Sequence, residues 1–104
     1  MQEITPGQLK FLLESKADFQ LIDVREPYEV AIVTLGGEQI PMGEIVYNLN
    51  KIHKDKQAII YCKSGKRSAA IVQFLEQQGY HNVYNLIGGI LGYANEIDPS
   101  LTKY

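Results

Sequence analysis

Three short apolar runs, Phe19–Val24, Gln57–Tyr61 and Val83–Leu86, each give way to a turn and then to a helix-forming segment. This alternation is the strongest constraint on the fold, because buried strands that alternate with helices over short connections build a parallel sheet covered on both faces. After the first run, Pro27 opens a short helix toward Val33, Gly36-Gly37 turns the chain, and Glu38–Pro41 reads as a brief strand. Ile45, Val46, Leu49 and Ile52 are spaced for a helix starting at Met42 or Gly43. The second run leads through the polar turn Lys63–Lys66 into a helix over Arg67–Gln78, with Ile71, Phe74 and Leu75 inward and Gly79 as its stop. The third leads through Gly88-Gly89 into a last helix, Ile90–Glu96. Near the start, Thr5-Pro6-Gly7-Gln8 carries a helix-opening capping box, Ile4 and Leu9 form a hydrophobic staple, and Leu9, Leu12 and Leu13 make one apolar stripe.

A chain of 104 residues fits one α/β domain over residues 1–104, and 45% hydrophobic content suffices for a core. With a single cysteine no internal disulfide exists. Met1–Lys16 is interrupted by Glu3, Lys10 and Glu14 and does not read as a signal peptide, and no run approaches the roughly 20 apolar residues that cross a bilayer. A cytoplasmic protein without a membrane partner is the expectation. A net charge of −2 and a pI near 5.6 argue against nucleic acid as a partner. Charge distribution says more than the sum. Between Lys56 and Leu75 there is no Asp or Glu, yet Lys56, Lys63, Lys66 and Arg67 all fall there. This basic segment is either an anion site or a solvated charged loop.

The chemistry concentrates in Ala58–Ala69, with the only cysteine, Cys62, at the carboxyl end of a central strand, where open α/β sheets hold their ligands. A helix N-terminus follows, and with Lys63, Lys66 and Arg67 it favours the thiolate, the nucleophilic form. Gly65 lets the loop curl so that successive amides form an anion nest. A lone cysteine after an apolar strand is also what an inert core residue looks like, so the residues by themselves leave both readings open.

Cys62-Lys-Ser-Gly-Lys-Arg67-Ser68 resembles the active-site loop of the rhodanese family, Leu21–Pro27 its first signature and Gly88-Gly89-Ile90 its closing one. The resemblance runs from about Ile4 to the last residue. It implies a rhodanese-like fold, a five-stranded parallel sheet with helices on both faces, and a sulfurtransferase in which Cys62 carries a sulfane sulfur as a persulfide, with no other cofactor. The donor would be thiosulfate or another protein's persulfide, as on a cysteine desulfurase, and the acceptor a nucleophile. The amides of Lys63, Ser64, Gly65, Lys66, Arg67 and Ser68 would cradle the persulfide, Arg67 would orient it, and Arg25 matches a position that faces the pocket. The alternative for Arg25 is a surface ion pair with Glu26 or Glu29. Asp23 is expected to anchor the loop or pair with an arginine.

Gly36–Glu44 and Gly88–Tyr104 are similar to segments of the C-terminal rhodanese domain of adenylyltransferase/sulfurtransferases serving molybdopterin and thiolated-tRNA pathways. That likeness implies a ubiquitin-like sulfur carrier as acceptor; with no adenylation domain in this sequence, activation comes from a separate adenylating protein, or this is a detached domain. Two departures stand out: Tyr93 replaces a tryptophan, and Val30–Leu35 replaces a Gly-His-Ile turn.

Three rivals are weaker. A cysteine-dependent phosphatase needs five residues between cysteine and arginine, and here Cys62 and Arg67 enclose four. A non-catalytic rhodanese-like binding module would not need an intact Cys62, Gly65 and Arg67. Redox exchange lacks a resolving thiol. No metal site is expected, since His53 and His81 have no other ligand at close spacing.

Overall fold

A computed structural model describes residues 1–104. Its centre is the strand β4, Ala58–Tyr61, all four residues of which are buried. Burial on both faces explains why this segment reads as an uninterrupted apolar run. β4 lies between β2 (Gln20–Asp23) and β5 (Val83–Leu86), all parallel, with Ile60 opposite Ile22 on one side and Asn85 on the other. β1 (Glu3–Ile4) and β3 (Glu38–Gln39) form the edges, giving the order β1-β5-β4-β2-β3. The fold is the five-stranded parallel sheet flanked by helices that the sequence led us to expect.

Strand alternation sorts the core into two halves. Ala58, Ile60 and Cys62 join Ile22, Val24 and Val83 on one face, covered by α3 (Lys66–Gln77) through Ile71, Val72 and Leu75. Ile59 and Tyr61 join Leu21 and Leu86 on the other, beneath α1 (Pro6–Glu14) and α4 (Gly89–Glu96) through Leu9, Ile90 and Tyr93. The short α2 (Pro27–Ile32) follows β2. No helix is long and apolar enough to cross a membrane.

The capping box of α1 forms as the sequence indicates. The Gln8 amide donates to Thr5 Oγ1 at 3.1 Å, and the Thr5 amide donates back to Gln8 Oε1 at 2.9 Å. The apolar stripe is narrower than expected, because Leu13 is exposed.

The helix expected over Met42–Ile52 is instead two 3-10 helices, Met42–Tyr47 and Leu49–Lys51. The reason sits at Asn48. Its amide bonds the Ile45 carbonyl at 2.9 Å, while its side-chain Nδ2 takes the Glu44 carbonyl at 2.7 Å, the acceptor that an α-helical Asn48 amide would use. β1 is too short for a periodicity to reveal. It is secured from outside, as the Asn85 and Ile87 amides donate to the carbonyls of Gln2 and Ile4. β3 is only two residues long, yet the Ile40 and Met42 amides still donate to the carbonyls of Asp23 and Val24, and Pro41 between them sits where a missing amide faces the open edge.

Leu75 is fully buried between α3 and the sheet, so Leu75→Ala should cost about 2–5 kcal/mol in urea unfolding. Phe11→Ala, at a side chain 70% exposed, should stay within about 0.5 kcal/mol. Comparable losses at the two positions would contradict the assigned core.

Candidate active site

Cys62 leaves the end of β4, and α3 begins at Lys66, so only Lys63, Ser64 and Gly65 separate sulfur from helix. Gly65 has φ of +101°, a left-handed conformation that favours glycine, and it lets the loop double back over the sulfur. The Gly65 amide donates to Cys62 Sγ at 3.1 Å and the Ser68 amide at 3.4 Å, with the Ser68 hydroxyl 3.3 Å away. The Ser68 amide belongs to the first turn of α3, whose unpaired N–H groups carry the positive end of the helix dipole. Cys62 itself is 1% exposed.

The carbonyls of the loop are held elsewhere. From the first turn of α4, Ile90 donates to the Cys62 carbonyl at 2.9 Å and Leu91 to the Lys63 carbonyl at 3.1 Å. The Gly65 carbonyl accepts from the Ala69 amide and from Asn85 Nδ2, at 3.1 and 3.2 Å. A trans peptide directs its N–H opposite to its C=O. Tethering these carbonyls therefore turns the amides of Lys63, Ser64 and Lys66 away from the tethers, where they meet no acceptor in the chain. Gly89 makes the approach of α4 feasible: a Cβ there would lie 2.5 Å from the carbonyl oxygens of both Cys62 and Lys63. The closing Gly88-Gly89-Ile90 is thus physically tied to the cysteine loop.

The charged residues divide differently from the expectation. Arg25 does not face a pocket, and it is no surface ion pair either: it is fully buried. Its Nε and NH2 donate to the Asp23 carboxylate at 2.9 and 2.7 Å, NH2 also to the Val33 carbonyl at 2.7 Å, and NH1 to Tyr104 Oη at 2.9 Å. Burial opposes the guanidinium charge, but the bonds to Asp23 and Tyr104 outweigh it and hold Arg25 above the ordinary arginine value. Every nitrogen is engaged, so none remains for a substrate. Asp23 is the partner in this pair and also accepts the Arg25 amide at 3.0 Å.

Arg67 forms a two-pronged ion pair with Glu29, at 3.0 and 3.1 Å, and these bonds are the main cause of its raised pKa. Its guanidinium is committed to Glu29 rather than to the sulfur. Glu29 is 5% exposed, and its position in α2 gave no sequence signal beyond that of a surface helix. Tyr104 also went unread. Its ring lies between Arg25 and Lys63, with Lys63 Nζ 4.5 Å from the ring centre. Lys66 and Ser64 are exposed beside the loop. Tyr61, whose phenol burial pushes up to about 12, accepts from the Leu35 amide and donates to the Gly36 carbonyl, fixing the segment that departs from the family turn.

Residues 5–96 match the rhodanese-like domain family. A sulfurtransferase of Allochromatium vinosum is 39% identical over 90% of this chain and 89% of its own length. A probable adenylyltransferase/sulfurtransferase, MoeZ, of Mycobacterium tuberculosis is 35% identical over 97% of this chain, which spans only 26% of that relative's length. Among solved structures, a rhodanese-like domain protein from Staphylococcus aureus superposes with a TM-score of 0.84 at 35% identity, covering 93% of this chain and 95% of that one.

Gly89→Ala should lower stability by more than the roughly 1 kcal/mol that a positive φ alone costs a side chain, because its Cβ overlaps two carbonyl oxygens. Gly43→Ala is the control, since nothing lies within 4 Å of the added carbon. Denaturant unfolding of both variants checks this; equal losses would mean that Gly89 is not what admits α4 to the loop.

Proposed function

This chain belongs to the rhodanese-like domain family, and we propose that it works as a sulfurtransferase whose Cys62 carries a sulfane sulfur as a persulfide. The observation that carries the reading is the set of donors around Sγ. Two amides lie within 3.4 Å of it, and further amides of the loop are left without acceptors. Such donors stabilise a thiolate and then the terminal sulfur of a persulfide anion, without reorganising during the reaction. Lys63 and Lys66 supply the unpaired positive charge, since Arg67 is neutralised by Glu29.

In the first half-reaction the Cys62 thiolate attacks the outer sulfur of thiosulfate, the donor S–S bond breaks, and sulfite leaves with the electron pair. In the second, an acceptor nucleophile takes the terminal sulfur and the thiolate returns. A protein persulfide on a cysteine desulfurase would serve equally as donor. Likeness to the MoeZ relative, an adenylyltransferase/sulfurtransferase by name, fits an adenylated sulfur carrier of the ubiquitin-like kind as acceptor. The loop of four intervening residues suits a single sulfur atom better than the phosphate of a cysteine-dependent phosphatase, which needs five.

The burial of Cys62 is also what a non-catalytic binding module would show, and one experiment separates the two. Intact mass is measured for wild type and Cys62→Ser after incubation with thiosulfate, and with a cysteine desulfurase plus cysteine. A reducible gain of one sulfur atom on wild type alone is expected. No adduct from either donor would sink the carrier reading in favour of the module. Lys63→Ala and Lys66→Ala should each slow loading by thiosulfate by up to about tenfold, an effect that added salt diminishes.

A further inference from the structure

Asn85 is a polar residue in an apolar place. It lies on β5 with Val83, on the face that packs against α3, and is 4% exposed. Both of its polar atoms are spent on the cysteine loop. Nδ2 donates to the Gly65 carbonyl, and Oδ1 is in hydrogen-bond contact with the Ser68 hydroxyl. Gly65 and Ser68 are the two residues that donate to Cys62 Sγ.

A carbonyl oxygen only accepts, so the Gly65 carbonyl fixes the Asn85 amide with nitrogen toward Gly65 and oxygen toward Ser68. The Ser68 hydroxyl has one hydrogen and two candidate acceptors, Asn85 Oδ1 and Cys62 Sγ. With the hydrogen on Asn85, the serine oxygen presents lone pairs to the sulfur. That arrangement suits a protonated thiol, which donates S–H to Ser68 while Ser68 donates to Asn85. A thiolate needs the reverse, with the hydroxyl turned to the sulfur. Turning it strips a buried carbonyl oxygen of its only donor, which opposes the change.

We propose that Asn85 is a positioning residue that holds the Ser68 hydroxyl away from Cys62 and so restrains formation of the thiolate. No atom of Asn85 touches the reacting sulfur; it acts through Ser68. The site is poised by opposing terms. Lys63 on the loop and Lys66 and Arg67 at the start of α3 draw toward the anion, with Glu29 of α2 offsetting Arg67. The Asp23–Arg25 pair at the end of β2 is internally neutral, and the Tyr104 ring contacts both Arg25 and Lys63. The first turn of α4 adds no charged side chain. Against this background the asparagine–serine contact is the term that favours the proton. It would keep the resting cysteine less open to oxidation until a donor arrives.

This inference rests on the reading of Cys62 as the reactive thiol, but its test needs no sulfur donor. The ultraviolet absorbance of the thiolate is followed against pH, each protein being referenced to its own Cys62→Ser counterpart. Asn85→Leu, close in size, removes the acceptor and should move the midpoint of thiolate formation down by about one pH unit, a tenfold change in thiolate population. Asn85→Ala should move it the same way, which guards against a packing fault of the leucine. In a Ser68→Ala background neither substitution should move it. A purely structural asparagine predicts the opposite sign, since a loosened Gly65 would withdraw a donor from the sulfur. An upward or absent shift in the Asn85 variants, or an equal downward shift without Ser68, overturns the proposal. A protein that loads no sulfur yet shows the Ser68-dependent shift would refute the carrier function alone.

Discussion

The hydrogen bonds from the Ile90 and Leu91 amides to the Cys62 and Lys63 carbonyls are the contacts on which the rest of the site depends. A loop of four residues between a strand and a helix has many ways to satisfy its own backbone. Here α4 claims the carbonyls, and the planarity of the peptide then decides where the amides point. The Lys63, Ser64 and Lys66 amides face away from these tethers, while the sulfur takes its own donors from the Gly65 and Ser68 amides. Gly89 permits the approach, Gly65 permits the turn, and the strand register that places Asn85 opposite Ile60 brings a third tether to the Gly65 carbonyl.

Around this backbone device the charges are arranged for shape rather than for catalysis. Asp23 and Arg25 form a pair at the end of β2 that is almost wholly excluded from water, and Arg25 reaches onward to Val33 and Tyr104. Glu29 and Arg67 join α2 to the start of α3. Pairs so far removed from solvent recover their desolvation cost only through good geometry, and losing one partner is severe because it strands the other. Their role is to fix the segments that wall the site. Lys63 and Lys66 are the cations beside the loop that no carboxylate holds.

Much of the fold was legible because it is written in local, repetitive features. The capping box at Thr5 and Gln8, the apolar run of β4 and the glycine stop at Gly79 each act within a few residues of themselves. The two-residue β1 lacks any period, and only its pairing with β5 makes it a strand. The segment after Pro41 has the apolar spacing of an α-helix, yet Asn48 diverts a carbonyl and tightens it. At the site, Cys62, Gly65 and Ser68 stand in one contiguous loop and could be read together. Glu29, Asn85 and Tyr104 meet that loop only through tertiary contact, and each looks ordinary in its own segment. Arg25 shows the limit most plainly, because a charged residue beside a turn gives no hint that the fold buries it completely.

The tethers from α4 bear on how portable the cysteine loop is. Residues 62–68 look like a self-contained cassette that could be moved onto the end of any parallel strand. They are not one, since the cradle draws on Asn85 of β5 and on Ile90 and Leu91 beyond the next turn, about twenty residues later in the chain. A host sheet that received the loop alone would keep its thiol and its helix, but nothing would draw the carbonyls aside. The smallest transferable unit of this cradle is therefore the span from β4 through the first turn of α4, and a cut between them would separate the sulfur from what holds its surroundings in place.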